Sequence, residues 1–377
     1  MQTPPEYKNN VYYDIQISNV SGDSAPAPAL NFYECRSQPY LENSGLYDMQ
    51  IIRFEINTPS LPIFLPEIQL NQSDPNLTIY SVTLSYKGID FQSFIEYVPQ
   101  NVSIPVPLGP SNNQSKLQDN SYRYYNVYSF QWFVNMVNQA FINAMTALIN
   151  SNPAGGLPSQ NTPFMNWDIG SNCAILNADQ AGFQSDMTNP IGIYFNGSLY
   201  NLYSSFMAIN QGYQAINGKN YQLVVNDFTT GSNTIQLPIV NPTYTGIQIY
   251  QEYTTISLFS PISSLCFISN NLPVTGNQLS NPAVYSNGQL ISSSTSANYS
   301  KIITDMIAND SFYKPTLVYE PTIYRKIEMQ GNSQLRDIQI TVQWKDKQGN
   351  YHDFFLNSAC SASIKLLFTL KPKYINL

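Results

Sequence analysis

Two runs near the end of the chain constrain its architecture more than any other feature. Ile338, Ile340, Val342 and Trp344 alternate with Asp337, Gln339, Thr341, Gln343 and Lys345. Past a turn over residues 346–350 the chain starts back at 354–356. Ala362, Ile364, Leu366, Phe368 and Leu370 then alternate in the same way. Successive side chains of a strand point to opposite faces, so each run has one apolar and one polar face. Two long strands of this kind must cover their apolar faces with a second layer. That points to an antiparallel sandwich.

The same signal recurs upstream. Ile52, Phe54 and Ile56 alternate with Arg53 and Glu55, and Tyr80, Val82, Leu84 and Tyr86 alternate with smaller or polar residues. Between them, Pro59, Pro62 and Pro66 keep residues 58–66 out of a central strand, because proline lacks the ladder donor. One long helix is expected over 127–150, where Phe130, Phe133, Val137, Phe141, Ala144 and Leu148 fall at helical spacing. Asn126 or Ser129 can cap its start, and Pro153 with Gly155 and Gly156 ends it. Its polar side holds Asn135, Asn138 and Asn143 and no basic residue, so a helix packed on a core is expected rather than a membrane anchor. Asn196-Gly197 and Asn217-Gly218 predict type I′ hairpins, whose two central residues need positive φ. Further strands are expected at 245–259 and 264–269, and a long polar loop at 270–299.

Composition narrows the function. Charged residues make up 11% of the chain, against roughly 25% in an ordinary globular protein. Amides, hydroxyls and 28 tyrosines take their place, and 43% of the chain is apolar, ample for a core. Neutral polar groups cost less to desolvate than ions, and interface cores are poor in charge and rich in aromatic rings. Such a surface suits a subunit of a larger assembly, and equally a polar secreted all-β protein. A net charge of −7 does not supply the basic surface that a nucleic-acid-binding module needs. Residues 325–377 nevertheless hold eight basic and four acidic side chains. They form either a face toward a polyanion or acidic neighbour, or a solvated strand face.

The search for chemistry yields little. Cys35, Cys173, Cys266 and Cys360 lie far apart without a zinc-ligand spacing and are expected as buried free thiols. There is no phosphate-binding loop, nucleophile elbow or zinc-protease motif. The single histidine, His352, stands beside Asp353 after a turn with no nucleophile in view, and is expected as an exposed hairpin residue. No catalytic residue, cofactor or metal site is expected. The first residues, Met1 to Tyr7, lack the basic and apolar parts of a secretory leader, and no apolar run approaches the ~18 residues of a membrane span. A carbohydrate-binding or carbohydrate-cleaving β-sandwich stays open as an alternative, because it needs only exposed aromatic rings or two carboxylates.

Five runs carry a resemblance: IYFNGSLYNLYSSF at 193–206, FSPISSLCFISNNLPV at 259–274, YEPTIYR at 319–325, LRDIQITVQW at 335–344 and SIKLLF at 363–368. Together they resemble jelly-roll capsid proteins of small DNA viruses, above all the penton, or vertex, proteins of virophages such as Sputnik. The resemblance implies a mainly β chain folded as a single antiparallel jelly-roll sandwich, with a large insertion domain containing the long helix. It implies a homopentamer at the vertex of an icosahedral double-stranded DNA virus, surrounded by major capsid protein, within the virion and without catalysis. Direct contact with the genome stays open. The expected division is an N-terminal arm at 1–29, jelly roll at 30–100, insertion at 101–244 and jelly roll again at 245–377. The arm is marked by Pro4, Pro5, Pro26 and Pro28, and its Tyr7, Tyr12 and Tyr13 are expected to make assembly contacts.

Overall fold

The computed structural model describes residues 9–20, 27–59, 61–69, 72–74, 76–98, 126–212, 215–226, 233–237, 244–274, 283–286, 289–293, 302–307, 315–321, 325–347, 349 and 351–372. Tyr7 lies outside them. The described residues fall into two compact units, one from Met1–Leu61 and Pro261–Leu377, the other from Pro62–Asn101 and Leu108–Ser260.

Along the chain, unit 1 opens with β1 (Asn10–Ser18), β2 (Asn31–Cys35) and β3 (Tyr47–Asn57). Unit 2 follows with β4 (Leu77–Tyr86), β5 (Ile89–Glu96), α1 (Phe130–Asn150), β6 (Phe164–Asp168) and β7 (Cys173–Asp179). It continues through α2 (Gln180–Phe183), β8 (Gly192–Phe195), α3 (Gly197–Leu202), β9 (Ala208–Asn210) and β10 (Tyr221–Leu223). It ends with β11 (Asn233–Leu237), β12 (Tyr244–Tyr250) and α4 (Ile256–Phe259). Unit 1 resumes with β13 (Ile262–Ile268), β14 (Ala283–Ser286), β15 (Gln289–Ser293), β16 (Ile302–Met306) and β17 (Thr316–Tyr319). The last strands are β18 (Ile327–Glu328), β19 (Asp337–Asp346), β20 (Tyr351–Asp353) and β21 (Ser361–Leu370). The chain is mainly β, and its strand pairs are antiparallel.

Unit 1 is built on two sheets. One runs β1-β21-β3-β17, with β18 also on β3; the other runs β16-β13-β19-β2, with β20 also on β19. The two diagnostic runs are β19 and β21, and each buries the alternating set read from the sequence, Ile338 to Trp344 and Ala362 to Leu370. Their apolar faces meet ring to ring: Phe54 of the first sheet lies 5.0 Å from Phe267 and 6.3 Å from Phe32 of the second, both edge-on. In β3 the register slips opposite Lys365 and Leu366, so that Arg53 and Ile51 are paired and Ile52 is skipped. This bulge moves the buried set from Met49 and Ile51 to Phe54 and Ile56, and leaves Ile52 half-buried where alternation alone would bury it.

Unit 2 encloses α1. The helix packs on β4, β5 and β6 and buries Phe133, Val137, Phe141, Ala144 and Leu148, with Met136 and Ala140 on one flank of that stripe and Val134 and Met145 on the other. Ser129 caps it, accepting from the Trp132 amide. One sheet runs β5-β4-β8-β10-β9, the other β11-β12-β7-β6.

Several expectations need correction. Residues 10–18 are not an arm but a strand paired along its whole length with β21. The prolines that suggested a free segment lie at 4–5 and 26–28, outside that strand. β4 and β5, expected in the sandwich of 30–100, pair with β8 inside unit 2, and residues 245–260 belong there too. A period of two announces a strand but not its partner. Asn196-Gly197 makes no hairpin: Asn196 caps α3 by accepting from the Leu199 amide. Asn217 and Gly218 do adopt φ of 54° and 66°, in the connection between the paired strands β9 and β10. The stretch 245–259 is strand only to Tyr250 and ends in α4. Within the expected loop 270–299, β14 and β15 pair as a hairpin.

Candidate assembly site

β1 and β2 are the outer strands of their two sheets, and they come together at one side of the sandwich. Alternation on β1 splits its tyrosines. Tyr13 points inward and closes the gap between the sheets: its ring stands edge-on to Tyr40 at 4.7 Å, and the Tyr40 hydroxyl lies 3.5 Å from its own. The Arg36 guanidinium covers both rings, 4.8 Å from Tyr13 and 5.2 Å from Tyr40, and its Nε donates to Glu34 at 3.0 Å. Burial, and then the Glu34 carboxylate accepting its proton, push the Tyr13 hydroxyl far above the usual tyrosine range. The same hydrogen bond, with Arg36 adding to it against slight burial, holds the Glu34 carboxyl below its ordinary range. The hydroxyl therefore stays protonated and the carboxylate charged, so the clasp is fixed over the physiological pH range.

Tyr12 points the other way and is 58% exposed, on the outer face of the sheet, with the Lys365 ammonium 5.9 Å from its ring. Beside it, Asp14 bridges two cations, Arg53 and Lys365, each at 3.4 Å. On β2, Tyr33 is likewise 58% exposed and Cys35 is exposed, so Cys35 departs from the expected buried thiols. Of the tyrosines singled out in the sequence, Tyr12 is thus available to a neighbour and Tyr13 is engaged internally. Sequence reasoning missed Glu34, Arg36 and Tyr40. The signal was the Glu-x-Arg spacing at the end of an alternating strand, which puts both charges on one face.

The other candidates resolve into structure. His352 lies in the β19–β20 hairpin as expected, but it is half-buried there rather than exposed. Its ring stacks on Trp344 at 4.1 Å, and its Nε2 lies 3.0 Å from the buried Asp346, not beside Asp353. Asp353 instead accepts from Gln343. Three of the eight basic C-terminal residues are paired locally: Arg325 with Asp305, Lys365 with Asp14, and Lys371 with Glu328. Among the described residues no cluster of His, Cys, Asp and Glu can hold a metal, and no helix is long and apolar enough to cross a membrane.

The family model of the Sputnik minor capsid protein V18/19 matches residues 11–370, nearly the whole chain. The chain belongs to this family. Protein V18 of the Sputnik virophage is 33% identical over 149 residues, which are 39% of this chain and 87% of V18. The structural protein V19 of the same virophage is 27% identical over 208 residues, 53% of this chain and 91% of V19. A chain in the cryo-EM structure of the Sputnik virophage superposes with a TM-score of 0.77 at 26% identity, covering 97% of this chain and 99% of that one. The crystal structure of the mavirus penton protein gives 0.60 at 14% identity, over 96% and 99%, a likeness of fold alone. As a V18/19 family member, the chain is a structural protein of a virophage capsid, located in the virion and not an enzyme.

Proposed function

We propose that this V18/19 family member forms the pentameric vertex capsomer of its virion. In this reading unit 1 is a single jelly roll and unit 2 an insertion between β3 and β13. The observation that carries it is the strand order of unit 1. Leaving aside the β14–β15 hairpin and the short β18 and β20, its strands in sequence are β1, β2, β3, β13, β16, β17, β19 and β21. One sheet takes the first, eighth, third and sixth, the other the fifth, fourth, seventh and second. That interleaving supports the reading, because two Greek keys wound into one eight-stranded jelly roll interleave their strands in this order. The likeness of fold to a penton over 96% of the chain supports the vertex position.

Around such a capsomer the neighbours are major capsid subunits. Tyr12 is a contact residue between copies, Tyr7 joins it from the segment before β1, and Tyr13 holds the edge from which Tyr12 projects. The native mass of the purified protein tests the reading directly. Five times the 42.5 kDa chain is expected, with density at the five-fold positions of purified particles. A monomer that binds glycans would return the carbohydrate-binding alternative.

A further inference from the structure

We infer that β1 is a main-chain docking edge, to which a second copy of this chain adds a strand. The identity of the partner rests on the vertex reading; the place rests on β1 itself. All nine residues of β1 pair with β21 in an unbroken register, and among the described strands none pairs with its other side. A free edge of that length is a template for another strand. Lone chains guard such edges with proline, lysine, a bulge or brevity. Asn10–Ser18, NVYYDIQIS, has no proline and no lysine, and no bulge interrupts it. The other outer strands of the sandwich are short: β17 has four residues, and β2 and β16 five each.

The single charge on β1 does not guard it either. Asp14 lies on the outer face of the sheet and is held by Lys365 and Arg53, so it is not free to repel an incoming strand. The rings flanking the edge suit burial, since Tyr12 and Tyr33 are exposed and neutral. The clasp of Tyr13, Tyr40, Arg36 and Glu34 ties the edge to the sandwich before any partner arrives. A pre-ordered edge loses little conformational freedom on binding.

Amide hydrogen exchange on the assembled and the dissociated protein tests this. In an antiparallel strand about half of the amides point to each side. The β1 amides that face away from β21 should therefore gain protection on assembly, while a peptide over 361–370 changes little. A second measurement uses the double variant Tyr12→Lys with Gln16→Lys, which guards the edge with exposed cations. Association should weaken at least tenfold with the circular dichroism and melting temperature retained. An oligomer whose β1 amides stay unprotected overturns the docking edge and leaves the vertex reading standing. A dimer with β1 protected keeps the edge and removes the vertex, because a ring of five needs a head-to-tail contact. A chain that stays monomeric at every concentration overturns both.

Discussion

The Lys371 side chain shows how little slack the sandwich allows a single residue. Its ammonium is buried, donating to the Gly45 carbonyl at 2.9 Å, the Met329 carbonyl at 2.8 Å and Glu328 at 3.2 Å. Lys371→Met keeps the stem and deprives two carbonyls of a charged donor. Each such loss costs about 1–3 kcal/mol, so the urea midpoint should fall clearly with the slope unchanged. Gly45 is constrained at the same place: a Cβ there would fall on the Gly331 carbonyl oxygen, and Gly331 is itself at φ 84°. Gly45→Ala must shift backbone and should also lower stability. If it melts like the parent, the close approach is not structural. His352→Ala should cost about 1–2 kcal/mol, because a ring stacked on Trp344 and a hydrogen bond to Asp346 are lost together.

At the scale of elements, legibility followed the local signal. β19 and β21 were readable residue by residue because one face of each is buried and the other wet. α1 was readable from its spacing and cap, yet the buried flanks of its stripe, Met136 and Ala140 on one side and Val134 and Met145 on the other, were not, because β4, β5 and β6 cover more of it than one stripe. The bulge at Ile52 left no mark in the composition of β3, and the pairing of β4 with β8 joins segments more than a hundred residues apart. β1 was hidden by the prolines on either side of it, and with it the clasp, which needs Tyr13 and Tyr40 from separate segments. The outer face of β4 is covered by the connection that carries Asn217, whose carbonyl accepts from Thr83 at 2.6 Å. Beneath the same connection, Lys219 pairs with Asp90 at 2.8 Å. Burial pushes the Asp90 carboxyl up, but Lys219 and hydrogen bonds from Ser85 and Asn217 outweigh it and hold it below the ordinary range. A depressed folded value adds stability above the unfolded value and loses it as pH falls through the folded one. Asp90→Asn should therefore melt lower than the parent at neutral pH, and the gap should close below about pH 4. A gap that persists unchanged into acid would show that the charge of Asp90 is not what matters.

The whole molecule is poor in charge, and part of that charge is paired within each unit. Unit 1 carries fourteen acidic and thirteen basic residues, unit 2 ten and four, which together give the net −7. Of the C-terminal cations, Arg325, Lys365 and Lys371 pair with Asp305, Asp14 and Glu328 within unit 1. The edge strand β1 offers a neighbour tyrosine, amide and main chain, with its one charge, Asp14, already paired. Contacts of that kind respond to salt differently from ion pairs. Raising the salt shortens the screening length from about 30 Å at 0.01 M to about 3 Å at 1 M, which weakens attraction between opposite charges. It equally weakens repulsion between copies that each carry −7. An assembly joined through the neutral edge should therefore hold its mass, or tighten, as sodium chloride rises to 1 M in sedimentation or light scattering. Dissociation on raising the salt would mean that ion pairs join the copies, and that the contact lies away from β1.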